Sequence, residues 1–237
     1  MAAREGGGDG CGAVVLGDFD AILFDLNGTL AEAYDRFGPG EDYHGTYRRL
    51  GGSRLAAAEL TRLVERTLGA VLARYRDGPP DPFPALRDCV PYDDPALAGE
   101  LELLLETIAV HECGQIPAPR AALLRKLARR HRLGLVSDLW APAGRCRRYL
   151  AAAGLAGLFG CLVFSCEHGA VKPAPRLFER ALTALGADPA RTLFVGDDPA
   201  RDIAGAAACG MKTVRVGAPG AAGAADWVVR DVLELWG

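Results

Sequence analysis

The sequence predicts an α/β fold of the doubly wound kind: a Rossmann-like, three-layer core with a mostly parallel sheet, plus a helical insert after its first strand. Three observations carry this. Short apolar runs alternate with amphipathic stretches long enough for about three helical turns. The first run, Ala21-Ile-Leu-Phe24, is apolar throughout, as a central strand buried on both faces must be. Residues 31–115 then break the rhythm, with no strand candidate and far more chain than a loop needs.

Taken in order, residues 1–12 are Gly-rich and polar and lack an apolar stretch, which reads as a disordered tail and not a signal peptide. The strand at 21–24 opens the core. The insert reads as helices around 53–76 and 95–110, with the loop Asp77-Gly-Pro-Pro-Asp-Pro-Phe-Pro84 between them. Further strands are expected at Leu133–Val136, Cys161–Phe164, Thr192–Val195 and Lys212–Val216, with a last candidate at Trp227–Val229. Helical stretches fall near 118–130, 142–153, 175–186 and 199–209, and the stripe Leu123, Leu124, Leu127 belongs to the core. The division that follows is a core of 13–30 with 116–237, and a helical cap of 31–115 over the sheet's carboxyl edge.

Composition narrows the function classes. At 237 residues, half of them apolar and 24% charged, the chain has material for a sizeable core without staples. A net charge of −3 argues against a tracker of nucleic-acid backbone. No run approaches the ~20 apolar residues of a membrane span. Seven cysteines are scattered with no C-x-x-C pair, so reduced thiols are expected and zinc or redox motifs are not. The expectation is a cytoplasmic monomer or homodimer that handles a small molecule, with neither nucleic acid nor membrane as partner.

In a doubly wound sheet, ligands bind outside the carboxyl ends of the strands. Four such ends carry polar residues here: Asp25-Leu-Asn27-Gly28-Thr29, Ser137-Asp138, Lys172-Pro173, and Gly196-Asp197-Asp198-Pro-Ala-Arg-Asp202. Asp25 can act as nucleophile on phosphorus or carbon. Two anions need a countercharge, and Asp25 with Asp197 and Asp198 offers hard oxygens of the kind Mg²⁺ prefers. Lys172 adds a fixed positive charge, Ser137 or Thr29 can donate to phosphate oxygens, and Gly28 lets backbone N–H groups come close. Blander duties stand beside these: Asp198 precedes Pro199 and is placed to cap a helix, as are Ser137 and Asp138. In the insert, Tyr43, His44, Tyr47, Arg48 and Arg49 cluster after the first loop, and an Arg pair fits an anion, though a polar helix face reads the same way.

These four segments, in this order, resemble the motifs of the haloacid dehalogenase superfamily from about residue 19 to 216. The resemblance implies a Rossmann-like core with a C1 cap at 31–115, and a Mg²⁺-dependent phosphatase acting on a small phosphorylated metabolite through an aspartyl phosphate. It implies Asp25 as nucleophile, Ser137 and Lys172 as phosphate holders, and Thr29, Gly28, Asp138, Arg48 and Tyr47 at the substrate. Asp25, Asn27 through its backbone carbonyl, Asp197, Asp198 and Asp202 are implied around the metal.

One position departs from the family. Its phosphatases carry an Asp two residues after the nucleophile, and here that residue is Asn27. An amide can donate a hydrogen bond but cannot give or take a proton near neutral pH. Substrates with good leaving groups, or substrates that supply the proton themselves, fit an Asn. A dehalogenase-like hydrolase and an attenuated phospho-ligand binder are the alternative readings, and the acidic Gly196-Asp-Asp favours metal chemistry over the first of these. Asn27-Gly28 is also a deamidation-prone dipeptide whose slow conversion restores an Asp.

Overall fold

The computed structural model describes residues 14–97, 99–218 and 225–236; the tail expected at 1–12, with Cys11, lies outside the described residues. Six parallel strands form one sheet: β1 (Ala21–Phe24), β2 (Arg132–Ser137), β3 (Phe159–Phe164), β4 (Thr192–Gly196), β5 (Lys212–Val216) and β6 (Trp227–Val229). Their spatial order is β3-β2-β1-β4-β5-β6. The apolar strands are buried on both faces because helices cover each side. Ile22 and Phe24 pack with Leu124 and Leu127 of α4 (Ala118–Leu127) and Leu150 of α5 (Gly144–Ala152). Ala21 and Leu23 point the other way, onto Leu177, Phe178 and Ala181 of α6 (Pro175–Leu185) and Ala206 of α7 (Ala204–Ala208). This is the three-layer α/β core that the alternating pattern predicts.

Between β1 and α4 lie three helices and no strand among the described residues: α1 (Tyr43–Arg49), α2 (Ala57–Asp77) and α3 (Leu101–Glu112). Leu60, Leu63, Val64, Leu68 and Val71 form one buried stripe along α2, at the spacing of a single helical face. They join Tyr47, Leu104, Leu105 and Ile108 in an apolar cluster of their own. Ala141 and Val171, from loops at the carboxyl ends of β2 and β3, complete that cluster, so the helical segment packs onto the same edge of the sheet as the polar loops.

Two helical expectations shift at their boundaries for local reasons. The stretch expected at 95–110 becomes helical only at Leu101, because Pro95–Leu97 closes a single tight turn and Gly99 takes φ +76°. The stretch expected at 199–209 is not one regular helix. Pro199 brings no N–H, the Asp198 carboxylate accepts from Ala200 N and Arg201 N, and Ile203 N reaches back five residues to Asp198 O at 3.2 Å. A wide π-type turn over Pro199–Ile203 results, with α7 after it. Among the described residues no helix is long and apolar enough to cross a membrane, and the six described cysteines are free thiols.

Candidate active site

β1 lies between β2 and β4, where successive connections leave in opposite directions, and its carboxyl end therefore opens a crevice. Phe24 pairs with Leu135 on one side and Val195 on the other. Asp25 N donates to Val195 O at 2.9 Å, which extends the ladder by one residue and fixes the base of the Asp25 side chain. The loop then turns sharply. Gly28 sits at φ +89°, and a Cβ there would lie 2.5 Å from Asp197 Oδ2, so only glycine lets the β1 and β4 loops approach this closely.

The side chains at these ends form one network. Lys172 Nζ donates to Asp25 Oδ1 at 2.6 Å and to Asp202 Oδ1 at 2.5 Å, and all three residues are buried. Asp202 Oδ2 accepts from Asp197 N at 3.0 Å and Asp198 N at 3.1 Å, an arrangement that the wide turn at 199–203 makes possible. Thr29 Oγ1 donates to Asp197 Oδ1 at 3.3 Å. Three atoms are left over: Asp25 Oδ2, Asn27 Oδ1 and Ser137 Oγ are buried and have no hydrogen-bond partner among the described residues.

Charge does not balance here. Burial opposes the Lys172 ammonium, but Asp202, Asp25 and Asp138 outweigh it and hold the amine protonated, well above its ordinary value. Burial pushes Asp25 up, and Asp202 and Asp197 push the same way against the pull of Lys172. Burial also raises Asp197, with Asp202 adding to it. One ammonium is shared between the Asp25 and Asp202 carboxylates, with a third carboxylate, Asp197, beside them.

The helical segment and the core loops together border an open cavity of about 230 Å³. Its lining brings Asp25, Lys172, Asp197 and Asp202 together with Asn27, Tyr34, Asp35, Tyr75, Glu112, Trp140 and Arg201, and with Leu72, Asp138 and Asp198. Glu112, at the end of α3, accepts from Trp140 N at 2.6 Å and Ala141 N at 3.0 Å, yet burial still pushes its carboxyl up to about 8. Arg201 ties the two parts of the chain together. It donates to Lys172 O at 2.7 Å and Tyr75 O at 2.5 Å, and its guanidinium lies 3.5 Å over the Tyr75 ring. Tyr75 Oη in turn donates to Asp138 Oδ2 at 2.8 Å, and Asp138 Oδ1 accepts from Lys172 N at 2.9 Å.

The sequence pattern of the haloacid dehalogenase-like hydrolases matches residues 19–210. The chain belongs to that family. It is 44% identical over 70 residues to a phosphoserine phosphatase of Thermus thermophilus, covering 30% of this chain and 28% of that protein. It is 34% identical over 100 residues to a glyceraldehyde 3-phosphate phosphatase of Pyrococcus abyssi, covering 42% and 41%. A phospholysine phosphohistidine inorganic pyrophosphate phosphatase of Xenopus laevis is 41% identical over 58 residues, covering 23% and 22%. The matched stretches thus span well under half of these relatives. Among solved structures, a HAD phosphatase from Thermococcus onnurineus superposes with TM-score 0.59 at 26% identity, covering 92% and 96% of the two chains. A 2-haloacid dehalogenase from Pseudomonas syringae superposes with TM-score 0.60 at 24% identity, which speaks for the fold alone.

Within this hydrolase family member, the donor set fits a hard divalent cation. Carboxylate oxygens of Asp25, Asp197 and Asp202 lie within 4.8 Å of one another. Asp25 Oδ2 is a buried oxygen with nothing to accept, and the shared ammonium leaves net negative charge to neutralise. Both oxygens of Asp202 are already occupied, by Lys172 and by two backbone N–H groups, whereas Asp25 keeps one open. Asp198 spends its Oδ1 on capping the turn and stands outside this triad.

Of the residues expected at the substrate, Asp138 lines the cavity, and Gly28, Thr29, Tyr47 and Arg48 do not. On α1 the buried face is Tyr43, Thr46 and Tyr47, which leaves Arg48 and Arg49 on the opposite, exposed face. The Tyr47 ring is fully buried in the helical cluster, and its hydroxyl donates to Glu100 while accepting from Arg54 N and Leu55 N. Conversely, Tyr75, Glu112, Trp140 and Arg201 line the cavity without having been singled out. Arg201 stood inside the fourth segment and was the only one with a sequence cue. The other three reach the cavity through tertiary packing that no local pattern encodes.

Proposed function

We propose that this chain is a Mg²⁺-dependent phosphatase of small phosphorylated molecules, working through a phosphoryl intermediate on Asp25, with the helical segment 31–115 as the cap over the site. The observation that carries this reading is the unpartnered Asp25 Oδ2, at the sheet's switch point and beside Lys172 and Asp197. Asp25 is fixed by its own backbone bond to β4 and by Lys172, so its open oxygen is oriented before any substrate arrives. The relatives' names cover C–O–P, N–P and P–O–P bonds, which supports a phosphoryl substrate without selecting one.

The roles follow from the contacts. Asp25 Oδ2 attacks phosphorus and becomes an acyl phosphate, which water then hydrolyses. Lys172 holds Asp25 Oδ1 and offers positive charge to the phosphoryl oxygens. Ser137 Oγ, buried with no partner, is a donor for one of those oxygens. Asp202 acts by anchoring Lys172 and the 197–198 backbone. Asp197 and the backbone carbonyl of Asn27, together with the Asp25 oxygen that does not attack, would hold Mg²⁺, whose charge would let carboxylate and phosphate meet. Gly28 and Thr29 shape the loop, Thr29 by orienting Asp197. Tyr75, Arg201 and Asp138 hold the cap's edge against the Lys172 loop and exclude water during transfer.

The test is phosphate release from para-nitrophenyl phosphate and acetyl phosphate. Release that requires Mg²⁺, stops with a chelator, and is lost in Asp25→Asn is the expected result. Halide release from a 2-haloacid without metal, and no phosphate release, would turn the reading toward the dehalogenases.

A further inference from the structure

We propose that the leaving group this site is built for is a protonated nitrogen bonded directly to phosphorus, so that the substrate class is an N-phosphorylated amine and not an alkyl phosphomonoester. The inference rests on the phosphatase reading and narrows it.

The geometry points there through Asn27. Its Nδ2 donates to the backbone carbonyl of Glu112 at 3.3 Å, and a carbonyl can only accept, so the orientation of the amide is set. Asn27 Oδ1 is thereby the other atom; it is buried and has no partner among the described residues, in a residue that lines the cavity. A buried acceptor left unsatisfied is unfavourable and is complemented by a donor. The bridging oxygen of an alkyl phosphate is itself only an acceptor, and it requires a proton to depart. The nitrogen of a protonated phosphoramidate is a donor, and it already carries the proton.

The rest of the cavity agrees in sign. Away from Asp25, Asp197 and Asp202, its lining holds the carboxyl groups of Asp35, Asp138 and Asp198, together with that of Glu112, which burial keeps protonated up to about pH 8. The cation facing them besides Lys172 is Arg201, whose guanidinium is committed to two carbonyls and stacked on Tyr75. An alcohol or a carboxylate gains little from such surroundings; a departing amine, which becomes an ammonium, is stabilised by them.

The chemistry closes without an acid. Asp25 Oδ2 bonds to phosphorus as the P–N bond breaks; the electron pair stays on nitrogen, which leaves as the neutral amine. Water then attacks the acyl phosphate, the bond between phosphorus and Asp25 is cleaved, and the proton released is taken up by the amine. In sum, R–NH₂⁺–PO₃²⁻ and water give R–NH₃⁺ and HPO₄²⁻. No step asks Asn27 to give up or take a proton.

The experiment uses the full chain with Mg²⁺ and three donors: N-butyl phosphoramidate, its oxygen isostere butyl phosphate, and para-nitrophenyl phosphate. Each is read as kcat/KM in the same buffer. A kcat/KM on the phosphoramidate at least roughly 10²-fold above that on butyl phosphate is expected, the low end of what a lost general acid is worth. Asn27→Asp is expected to shrink that ratio by raising the ester. Equal kcat/KM on butyl phosphate and its nitrogen counterpart, or turnover of para-nitrophenyl phosphate with neither butyl compound cleaved, would overturn this proposal and leave the phosphatase reading standing. No turnover of any of the three would bring down both.

Discussion

An amide at position 27 keeps the outline of a carboxyl group and loses its proton chemistry. Asn27→Asp is therefore expected to raise kcat/KM on alkyl phosphates by roughly 10²–10⁴-fold, with far less effect on aryl or acyl phosphates. A leaving-group series measured on both proteins checks this, and a uniform effect across the series would contradict it. Glu112 makes a separate prediction. Its ordinary value is near 4.5, and burial lifts it to about 8 in the folded chain. As pH rises through that window, the unfolded chain releases its proton first, so the stability that protonated Glu112 contributes is progressively lost. Glu112→Gln stays neutral, and its Tm is expected to fall less steeply from pH 4.5 to 8 than that of the native protein; equal slopes would remove Glu112 as the cause. Position 27 was legible as a chemical oddity from sequence alone, because its neighbours Asp25 and Gly28 fixed its context. Glu112 was not, since a Glu closing an apolar helix looks like solvated surface until Trp140 N and Ala141 N are seen to bind it.

At the scale of elements, the strands were the most legible part, because an apolar run such as Ala21–Phe24 or Thr192–Val195 has few alternatives in a chain of this rhythm. Their tips carried the site into view, and Asp25, Lys172, Asp197 and Asp202 do meet there. What α1 does with Tyr47 was not legible. An aromatic with a hydroxyl serves equally as a ligand contact or as a core residue, and the choice depends on Glu100, more than fifty residues away. The join between α2 and the Lys172 loop is similarly tertiary. Arg201→Ala removes the stack on Tyr75 and the bond to Lys172 O, and a loss of roughly 10- to 100-fold in kcat/KM is expected from the displaced lysine. Arg201→Lys is not expected to rescue it, because an ammonium lacks the planar fork that reaches two carbonyls at once. Steady-state kinetics on the two variants settle the point, and full activity in Arg201→Ala would show that the clamp is dispensable.

At the scale of the molecule, one sheet carries an apolar cluster on each face, and a third cluster seats the helical segment on its carboxyl edge. Leu63 is fully buried in that third cluster. Leu63→Ala is expected to lower unfolding free energy by about 2–5 kcal/mol, measured by denaturant titration, and a change below about 0.5 kcal/mol would show that the cluster is loosely packed. The architecture places a fixed carboxylate, a buried ammonium and a candidate metal triad at the one point where the sheet parts, and everything functional depends on what Asp25 does there. The direct measurement is to quench the protein in acid during turnover of acetyl phosphate with Mg²⁺ and read the mass of the peptide that holds residue 25. One added phosphoryl group on Asp25, absent in Asp25→Asn and absent without the metal, is the predicted result. Steady turnover with that peptide never modified, or a phosphoryl group found on another residue, would contradict the account.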